Sequence, residues 1–254
     1  DDDLPLGTEP LPEIPITPVT PTLTSDGQHV VLPFYNIDPM TFGTTNGARA
    51  FVVSVETREV VAAPFDARCP WSSTGGVIDP TNGHYVYVGD ALSGAGAHFA
   101  QPSTGEGCLL RIRVGETEFD PTWTVDAADM NPGGFGDLAQ LEVAGDQFLA
   151  VFRNEDRAPI AELPSPANYF GGPGTFFRPY VGSVTDWTGT LVTGEDDQNF
   201  FTFPQVVDDT FVVSPADITN RGPDVRSRVY RVVDGALVSL TETPGFVRSV
   251  ERIR

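Results

Sequence analysis

The sequence predicts an all-β protein, most specifically a β-propeller. Glycine and proline together supply 49 of the 254 residues (26 Gly and 23 Pro), which is typical of a chain with many turns. Short apolar runs alternate with turn dipeptides, and no stretch keeps a helical period of 3.6 residues over three turns. A chain of this length is compatible with one large all-β domain.

Residues 1–27 differ in composition and predict an extended arm or linker ahead of the blades, which we expect over residues 28–254. Six prolines fall between positions 5 and 21, and proline fixes φ and blocks helix formation. The arm is either a solvated tail or a segment that packs on a domain or on a second chain. Its apolar residues are Leu11, Ile14, Ile16 and Val19.

From residue 28 onward, short strands alternate with turns. In the run 84–90, Tyr85 and Tyr87 fall on one face of a strand and the intervening valines fall on the other. Turn signals such as Asn82-Gly83 and Asp234-Gly235 separate the runs. The predicted strands cover residues 28–34, 49–55, 59–65, 84–90, 108–114, 147–153, 189–194, 199–203, 209–215, 227–233 and 236–240.

A coarse repeat supports a propeller. Residues 81–88, 144–152 and 207–214 each combine a polar turn with alternating apolar residues, and their starts are 63 residues apart (144 − 81 and 207 − 144). This spacing exceeds a four-stranded blade of about 40–50 residues, so long loops are expected. Four-stranded blades are therefore the favoured architecture, and a β-sandwich with irregular loops is the alternative.

The charge of the chain excludes several classes of function. There are 35 acidic and 15 basic residues, for a net charge of -20, and every basic residue is arginine. A chain without lysine lacks the P-loop lysine and the Schiff-base nucleophile. The negative field argues against nucleic acid or an anionic membrane as the main partner. No apolar run is long enough to span a bilayer, so no transmembrane segment is expected.

Two cysteines and three histidines limit the covalent and metal chemistry. Cys69 and Cys108 fit one disulfide, and two free buried thiols are the alternative. No histidine has the spacing of a zinc site, and the acidic turns lack the spacing of an EF-hand loop. No catalytic motif stands out, so we expect neither enzymatic activity nor a resident cofactor.

The run 107–126 has the most individual pattern. It predicts a strand, a glycine turn and a second strand, with Arg111 and Arg113 on one face of the first strand. Glu116 and Glu118 could pair with these arginines across the turn as an ion-pair ladder on an outer strand.

This same run, RIRVGETEFD (111–120), resembles a family of secreted β-propeller lipoproteins that are often encoded beside genes for siderophore synthesis or uptake. The family includes the protein of the myxochelin cluster and xenosiderophore-binding lipoproteins of gut bacteria. Other matching elements keep the family's order from about residue 28 to 160. They are FVVSVETREVV (51–61), Asp66-Ala67-Arg68, Ser73-Thr74-Gly75-Gly76, HYVYVGD, Ser93-Gly94 and residues 136–158, with GFVRSVERIR (245–254) similar to a closing strand.

The resemblance implies an extracytoplasmic protein in the periplasm or at the cell surface. It also allows association with an outer membrane, which the sequence alone does not decide. Family members are much longer, with seven or eight blades, so this chain corresponds to their C-terminal part. The resemblance leads us to expect either that the chain was trimmed or that the N-terminal half is a separate chain. The lipidated cysteine of the family is absent from this sequence.

Capture of a ferric siderophore requires arginine to offset negative charge and aromatic rings to cover flat faces. Residues 168–180, an aromatic run with Gly-Gly-Pro-Gly, are predicted to form a glycine-proline loop. Five residues in the matched region and in this loop are candidates for ligand binding. They are Arg68, Trp71, Arg153, Arg178 and Tyr180. A disulfide at Cys69 would hold the loop that carries the first two.

The sequence thus favours a binding protein for a ferric siderophore or a related iron chelate, with no bond made or broken. The alternative is a structural or protein-interaction propeller that pairs with a partner chain or with a missing N-terminal half.

Overall fold

The computed structural model describes residues 17–18, 20–35, 47–69, 73, 75–89, 107–154, 156, 177–194, 204–215, 226–244 and 247. The chain divides into two compact units, Asp1–Ala127 and Ala128–Arg254. Within the described residues, each unit contains two antiparallel sheets. No helix among these residues has the length and apolar character needed to cross a membrane.

The first sheet contains six short strands in four positions. They are β1 (Thr17–Pro18), β2 (Thr22–Leu23), β3 (His29–Tyr35), β4 (Ala48–Ser54), β5 (Val60–Ala62) and β6 (Phe65–Asp66). β1 and β2 both pair with β3, and β5 and β6 both pair with β4. Pro21 and Pro64 lie in the two interruptions, where a residue without a backbone N–H cannot continue a ladder. The sheet is therefore a four-position meander with two broken strands.

The second sheet is an uninterrupted meander in the order β10-β9-β8-β7. Its strands are β7 (Gly76–Ile78), β8 (Tyr85–Gly89), β9 (Cys108–Ile112) and β10 (Phe119–Asp126). Tyr85, Tyr87, Leu110 and Ile112 pack into one buried cluster with Val31, Ala48, Ala50 and Val52 of the first sheet. The two tyrosines therefore share a core face, as the alternation in the sequence predicts.

The second unit begins its strands after a short 3-10 helix (Ala127–Met130) and contains the third and fourth sheets. The third sheet comprises β11 (Leu138–Ala144), β12 (Gln147–Arg153), β13 (Phe177–Ser183) and β14 (Thr188–Leu191). The fourth comprises β15 (Gln205–Val207), β16 (Thr210–Val213), β17 (Arg226–Val233) and β18 (Ala236–Pro244). Both are meanders in chain order.

The third and fourth sheets share a core and a hydrogen-bonded edge. Leu149, Val192, Phe211, Val213, Tyr230 and Val232 form their buried cluster. At the outer edge, the Thr193 N–H donates to the Gly235 carbonyl (2.9 Å) and the Leu237 N–H donates to the Thr193 carbonyl (2.7 Å). These bonds join the end of the third sheet to the last strand of the fourth.

The repeat in the sequence corresponds to a repeat in the structure. Its three units begin at the last residue of the first strand, or in the turn that follows it, in the second, third and fourth sheets. These turns use left-handed backbone at Gly83 (φ 76°), Gly145 (φ 59°), Asp208 (φ 51°) and Asp209 (φ 57°). Four successive four-position meanders are the construction of propeller blades.

Some predicted elements differ from the structure. Thr22 and Leu23 of the predicted arm belong to the first sheet through β2. The segment 177–180, predicted as part of a glycine-proline loop, is the start of β13 and pairs with β12. The short strands β7 and β15 were not predicted, because three residues show no readable alternation. The predicted strand 199–203 lies outside the described residues.

Candidate functional site

The candidate site is centred on Asp120, an acidic residue inside the second sheet. Asp120 is the second residue of β10, and the pairing of β10 with β9 shifts register between Phe119 and Thr124. Such a bulge redirects side chains, and the carboxylate of Asp120 is fully buried (0% exposed). A buried carboxylate requires compensating charge and hydrogen bonds.

Arg111 of the neighbouring strand and Arg113, just past the end of that strand, supply that charge. Arg111 Nη2 lies 2.6 Å and Arg113 Nη2 lies 2.9 Å from Asp120 Oδ2. Arg111 is paired with Val86 on the face of the sheet that points away from the first sheet, whereas Leu110 faces the core. The alternation of β9 therefore brings both guanidinium groups to the same carboxylate.

A third arginine reaches Asp120 from the first sheet. The Arg68 guanidinium donates to the main-chain carbonyls of Asp120 (2.8 Å) and Pro121 (2.9 Å) and is held by the Asp66 carboxylate. These carbonyls lie on the outermost strand of the second sheet, where backbone groups otherwise lack partners. Arg68 therefore joins the two sheets of this unit at their outer edge.

The disulfide lies directly beside this arginine. Cys69 and Cys108 are bonded, with their Cα atoms 5.6 Å apart, which confirms the predicted pairing. Cys69 follows Arg68 in the chain and Cys108 is the first residue of β9, and both cysteines are buried. A Cβ at Gly89 would lie 2.8 Å from Cys69 Sγ, so the close packing of β8 on the disulfide requires glycine.

Thr122 and Trp123 complete the cluster. The Thr122 N–H and hydroxyl donate to Asp120 Oδ1 at 2.9 and 2.7 Å. The guanidinium carbon of Arg111 lies 5.2 Å from the centre of the Trp123 ring, within cation–π distance. We call Arg68, Arg111, Arg113, Asp120 and Trp123 the arginine cluster.

The electrostatics of the cluster oppose those of the chain as a whole. Three arginines and the carboxylates of Asp66 and Asp120 sum to +1 (3 − 2), in a chain of net charge -20. Burial by itself would raise the pKa of Asp120. Hydrogen bonds from Thr122, Arg111 and Arg113 outweigh burial and hold that pKa well below its ordinary value. Asp120 is therefore ionised throughout the neutral range.

His84 lies beside the arginine cluster, where it accepts one main-chain hydrogen bond. Its Nδ1 accepts a hydrogen bond from the Val114 N–H at 3.1 Å. Burial, followed by the positive charge of Arg111, lowers the pKa of His84, while Asp79 opposes the shift. The imidazole is thus neutral at pH 7 and acts as an acceptor that joins two turns of the sheet.

The arrangement has the chemistry of anion binding. Guanidinium N–H groups and an indole face can contact a flat, negatively charged ligand, and the buried carboxylate fixes the arginines in place. The side chains of Arg68 and Arg113 are 35% and 42% exposed and therefore reach solvent. Among the described residues, no group of three or more metal-ligating side chains occurs.

The ligand-binding residues predicted from sequence are distributed over both units. Arg68 belongs to the arginine cluster, Trp71 lies outside the described residues, and the remaining three are on the third sheet of the other unit. Their roles in ligand binding stay predictions.

The three residues of the third sheet lie on two faces. Arg153 is fully buried, 3.9 Å from the Asp137 carboxylate, on the same face of β12 as Leu149 and the shared core. Tyr180 is on the opposite face, where its ring meets the ring of Phe152 at 5.6 Å. Arg178 pairs with Phe152 and so shares this second face. The structure therefore does not bring Arg153 together with the other two.

The sequence pattern singles out Arg111 and Arg113 and predicts ion pairs with Glu116 and Glu118. In the structure, both arginines form ion pairs with Asp120 instead. The sequence did contain one indication of this partner, because Asp120 lies inside the predicted strand that follows the glycine turn. A bulge decides which way that aspartate points, and a regular alternation does not reveal a bulge.

Comparisons with known proteins bear on the fold. No protein-family model and no curated protein matches the chain. Pyrococcus horikoshii acylaminoacyl peptidase aligns with a TM-score of 0.52 and 11% identity, over 89% of this chain and 32% of its own. The β-propeller domain of the Trilobed protease from Pyrococcus furiosus aligns with a TM-score of 0.48 and 10% identity, over 91% of this chain and 58% of its own.

The chain therefore spans under two thirds of the length of these two structures. At such identities the likeness concerns fold alone. The four meandering sheets, together with the likeness to the acylaminoacyl peptidase, confirm the predicted fold class, an all-β protein of the β-propeller type, over the β-sandwich alternative.

Proposed function

We propose that this protein binds a bulky anionic ligand of the kind that a ferric siderophore presents, and that it does so without catalysis. The observation that carries the proposal is the arginine cluster, a locally positive and aromatic surface on a chain of net charge -20. A strongly acidic protein repels anions at long range, so an anion site on it has to be concentrated in such a patch.

The cluster would bind through preorganised groups. Asp120 stays ionised and buried, so it holds Arg111 and Arg113 in one orientation before any ligand arrives. The partly exposed Arg113 then donates to anionic oxygens, Arg68 adds positive charge beside it, and Trp123 covers a flat aromatic face. Fixing long side chains in advance lowers the entropic cost of binding.

The disulfide supports the proposed location. Disulfides persist in oxidising compartments, so the Cys69–Cys108 bond is compatible with an extracytoplasmic protein. Capture in the periplasm or at the cell surface, including association with an outer membrane, is the location that fits an iron-chelate receptor.

A second candidate function is favoured by the length of the chain. It covers 58% and 32% of the two structures described above, so a second chain or a further segment could complete the propeller. In that case the protein is an interaction module, and its purified form would carry a partner. Native mass spectrometry without reductant separates the two functions, because a binding protein that folds alone has a single mass near 27.3 kDa.

The test of anion capture is a titration of the protein with a ferric triscatecholate and a ferric trihydroxamate, followed by tryptophan fluorescence and calorimetry. A ligand at 100 times its Kd should stabilise the fold by about 2.7 kcal/mol. Arg113→Gln should weaken binding about tenfold, which corresponds to about 1.4 kcal/mol. Trp123→Phe should remove most of the fluorescence response.

The matched control is Arg228→Gln, which removes an exposed arginine (53% exposed) on β17, outside the cluster. It should leave the affinity unchanged. Equal losses in Arg113→Gln and Arg228→Gln would mean that only overall charge matters, and absence of binding to either chelate would refute capture of such ligands. Recovery of the ligand unchanged after incubation would agree with the absence of catalysis.

A further inference from the structure

His84 connects two turns of the second sheet through its side chain. It lies just before β8, and its half-buried ring reaches the turn between β9 and β10. There the Val114 N–H donates to His84 Nδ1 at 3.1 Å. A backbone N–H can only donate, so Nδ1 holds a lone pair and the ring proton is on Nε2. The register of the sheet explains the contact, because Tyr85 pairs with Ile112 and the next positions are His84 and Arg113.

This hydrogen bond fixes the peptide group that links Arg113 to Val114. The N–H of that group donates to His84, and its carbonyl accepts from the Glu116 N–H at 3.0 Å. Arg113 lies just past the end of β9, so the turn determines its main-chain position. Its side chain, 42% exposed, is the most solvent-accessible of the three arginines in the cluster. The turn therefore positions the arginine that is best placed to meet a ligand.

The ring of His84 is itself carried by a closely hydrogen-bonded turn. The His84 N–H donates to Asn82 Oδ1 at 2.9 Å, and the His84 carbonyl accepts from the Asp79 N–H at 2.9 Å. Asn82 Nδ2 donates in addition to the buried carboxylate of Asp79 at 2.7 Å. If the bond between the two turns is lost, we therefore expect the turn between β9 and β10 to move.

We propose that His84 is a positioning residue for anion binding at the arginine cluster, and that protonation of its Nδ1 releases the Arg113–Val114 peptide group and weakens that binding. This role rests on the anion binding proposed above. A protonated Nδ1 carries an N–H that faces the Val114 N–H, and two donors cannot bond to each other. Arg113 then loses the fixed position on which preorganised binding depends.

The charges around His84 place this change on the acid side of neutrality. Burial is the largest cause that lowers the pKa of His84, followed by the positive charge of Arg111, with a smaller contribution from Arg113. Asp79 and Asp120 oppose the shift. The neutral ring therefore predominates at pH 7, and the hydrogen bond is lost as the pH falls.

Other charged groups near His84 have a different effect. Glu116 and Glu118 belong to the turn between β9 and β10, and Asp26 belongs to a turn of the first sheet that contacts the turn before β8. None of these three is among the causes of the His84 shift. Burial raises the pKa of Glu118, so this carboxyl loses charge more readily in acid. Its neutralisation, like a positive charge on His84, would by itself strengthen anion binding, so the sign of the pH dependence separates positioning from charge.

The experiment measures the binding of naphthalene trisulfonate by calorimetry at pH 7.5 and pH 5. This probe is a flat trianion whose charge is the same at both pH values, and Asp120 stays ionised at both. The affinity of the parent protein should fall at pH 5 by up to about tenfold, the loss expected for Arg113→Gln. An affinity that is unchanged or higher at pH 5 would overturn the proposal.

Variants of His84 provide the second arm of the test. His84→Asn is a conservative rescue, because an asparagine Oδ1 accepts a hydrogen bond and does not titrate. It should retain most of the affinity at pH 7.5 and keep it at pH 5, whereas His84→Ala should bind weakly at both. The matched control is His29→Asn, on β3 of the first sheet, which should show the same acid loss as the parent. Equal acid loss in His84→Asn and the parent would contradict the role.

A measurement without ligand distinguishes failure of this proposal from failure of the proposed function. In ¹⁵N NMR titrations from pH 8 to pH 5, the Val114 amide signal should shift with the same midpoint as His84 Nδ1, and its hydrogen exchange should accelerate. A Val114 amide that does not follow His84 would overturn the proposal even if anions bind. Absence of trisulfonate binding at pH 7.5, with a Val114 amide that follows His84, would instead refute anion capture and the positioning role with it.

Discussion

Asp120 is the residue on which the local structure of the second sheet depends. Its buried carboxylate accepts from Thr122 and from two guanidinium groups, and its main-chain carbonyl accepts from Arg68. Removing the charge of Asp120 therefore leaves the guanidinium groups mutually repelling.

We expect Asp120→Asn to destabilise the protein by about 2 kcal/mol at pH 7, because breaking a buried ion pair leaves charge uncompensated. The figure is below the roughly 3–5 kcal/mol of a fully buried pair, because both arginines are partly exposed and solvent screens their charges. The folded pKa of Asp120 is lowered, so its contribution is present above the unfolded pKa of about 4. It is lost as the pH falls below that value. Urea unfolding at pH 7 and pH 3 measures both effects, and the variant should show less acid dependence than the parent.

The control for this prediction is Glu242→Gln, which breaks an exposed pair with Arg228 (3.6 Å). Exposed pairs contribute about 0–1 kcal/mol, so this variant should differ little from the parent. Equal losses in the two variants would mean that burial does not distinguish the pairs.

At the scale of elements, the disulfide decides how the first and second sheets are joined. It links the segment after β6 to the start of β9 and closes a separation of 39 residues. It also anchors Arg68 beside the carbonyls of β10. The first sheet therefore contributes one side chain to the candidate site of the second.

The double variant Cys69→Ala/Cys108→Ala should unfold at lower urea than the parent. The chain-entropy model gives about 4 kcal/mol for a loop of this length. Reductant should lower the stability of the parent and leave that of the double variant unchanged. A parent protein that keeps its full stability after complete reduction, verified by thiol counting, would contradict a structural role for the bond.

The elements also show where sequence patterns are informative. The strands β8 and β12 were located within one residue of their ends, whereas the predicted run 108–114 is two residues longer than β9 and the run 236–240 is four residues shorter than β18. The run before Phe177 contains Gly-Gly-Pro-Gly, and this composition led us to extend the loop over Arg178 and Tyr180. Pairing with β12 overrides that local preference, because seven ladder positions and a buried face stabilise the strand.

At the scale of the whole molecule, the net charge of -20 is the dominant property. Like charges distributed over one chain repel each other in the compact state, and salt screens that repulsion. The arginine cluster is a local exception, and its buried ion pairs are screened less than exposed charges.

The melting temperature should therefore rise by about 2–4 °C between 10 and 300 mM sodium chloride, which corresponds to about 1 kcal/mol for a chain of this size. Calorimetric scans at several salt concentrations measure it. Arg113→Gln should show the same rise, because screening acts on the whole surface. A melting temperature that is flat or falls with salt would show that self-repulsion does not limit stability.

The sequence by itself determined the fold class. Strand alternation, turn dipeptides and the 63-residue spacing are patterns in the order of the residues, and they can be read without knowing which residues are in contact. The sequence also contains only two cysteines, so a single intramolecular disulfide, Cys69–Cys108, is possible. The grouping of Arg68 with Arg111 and Arg113 around Asp120 was decided by tertiary structure alone. That grouping depends on a bulge in β10 and on contact between strands more than 40 residues apart, and residue type carries no information about either.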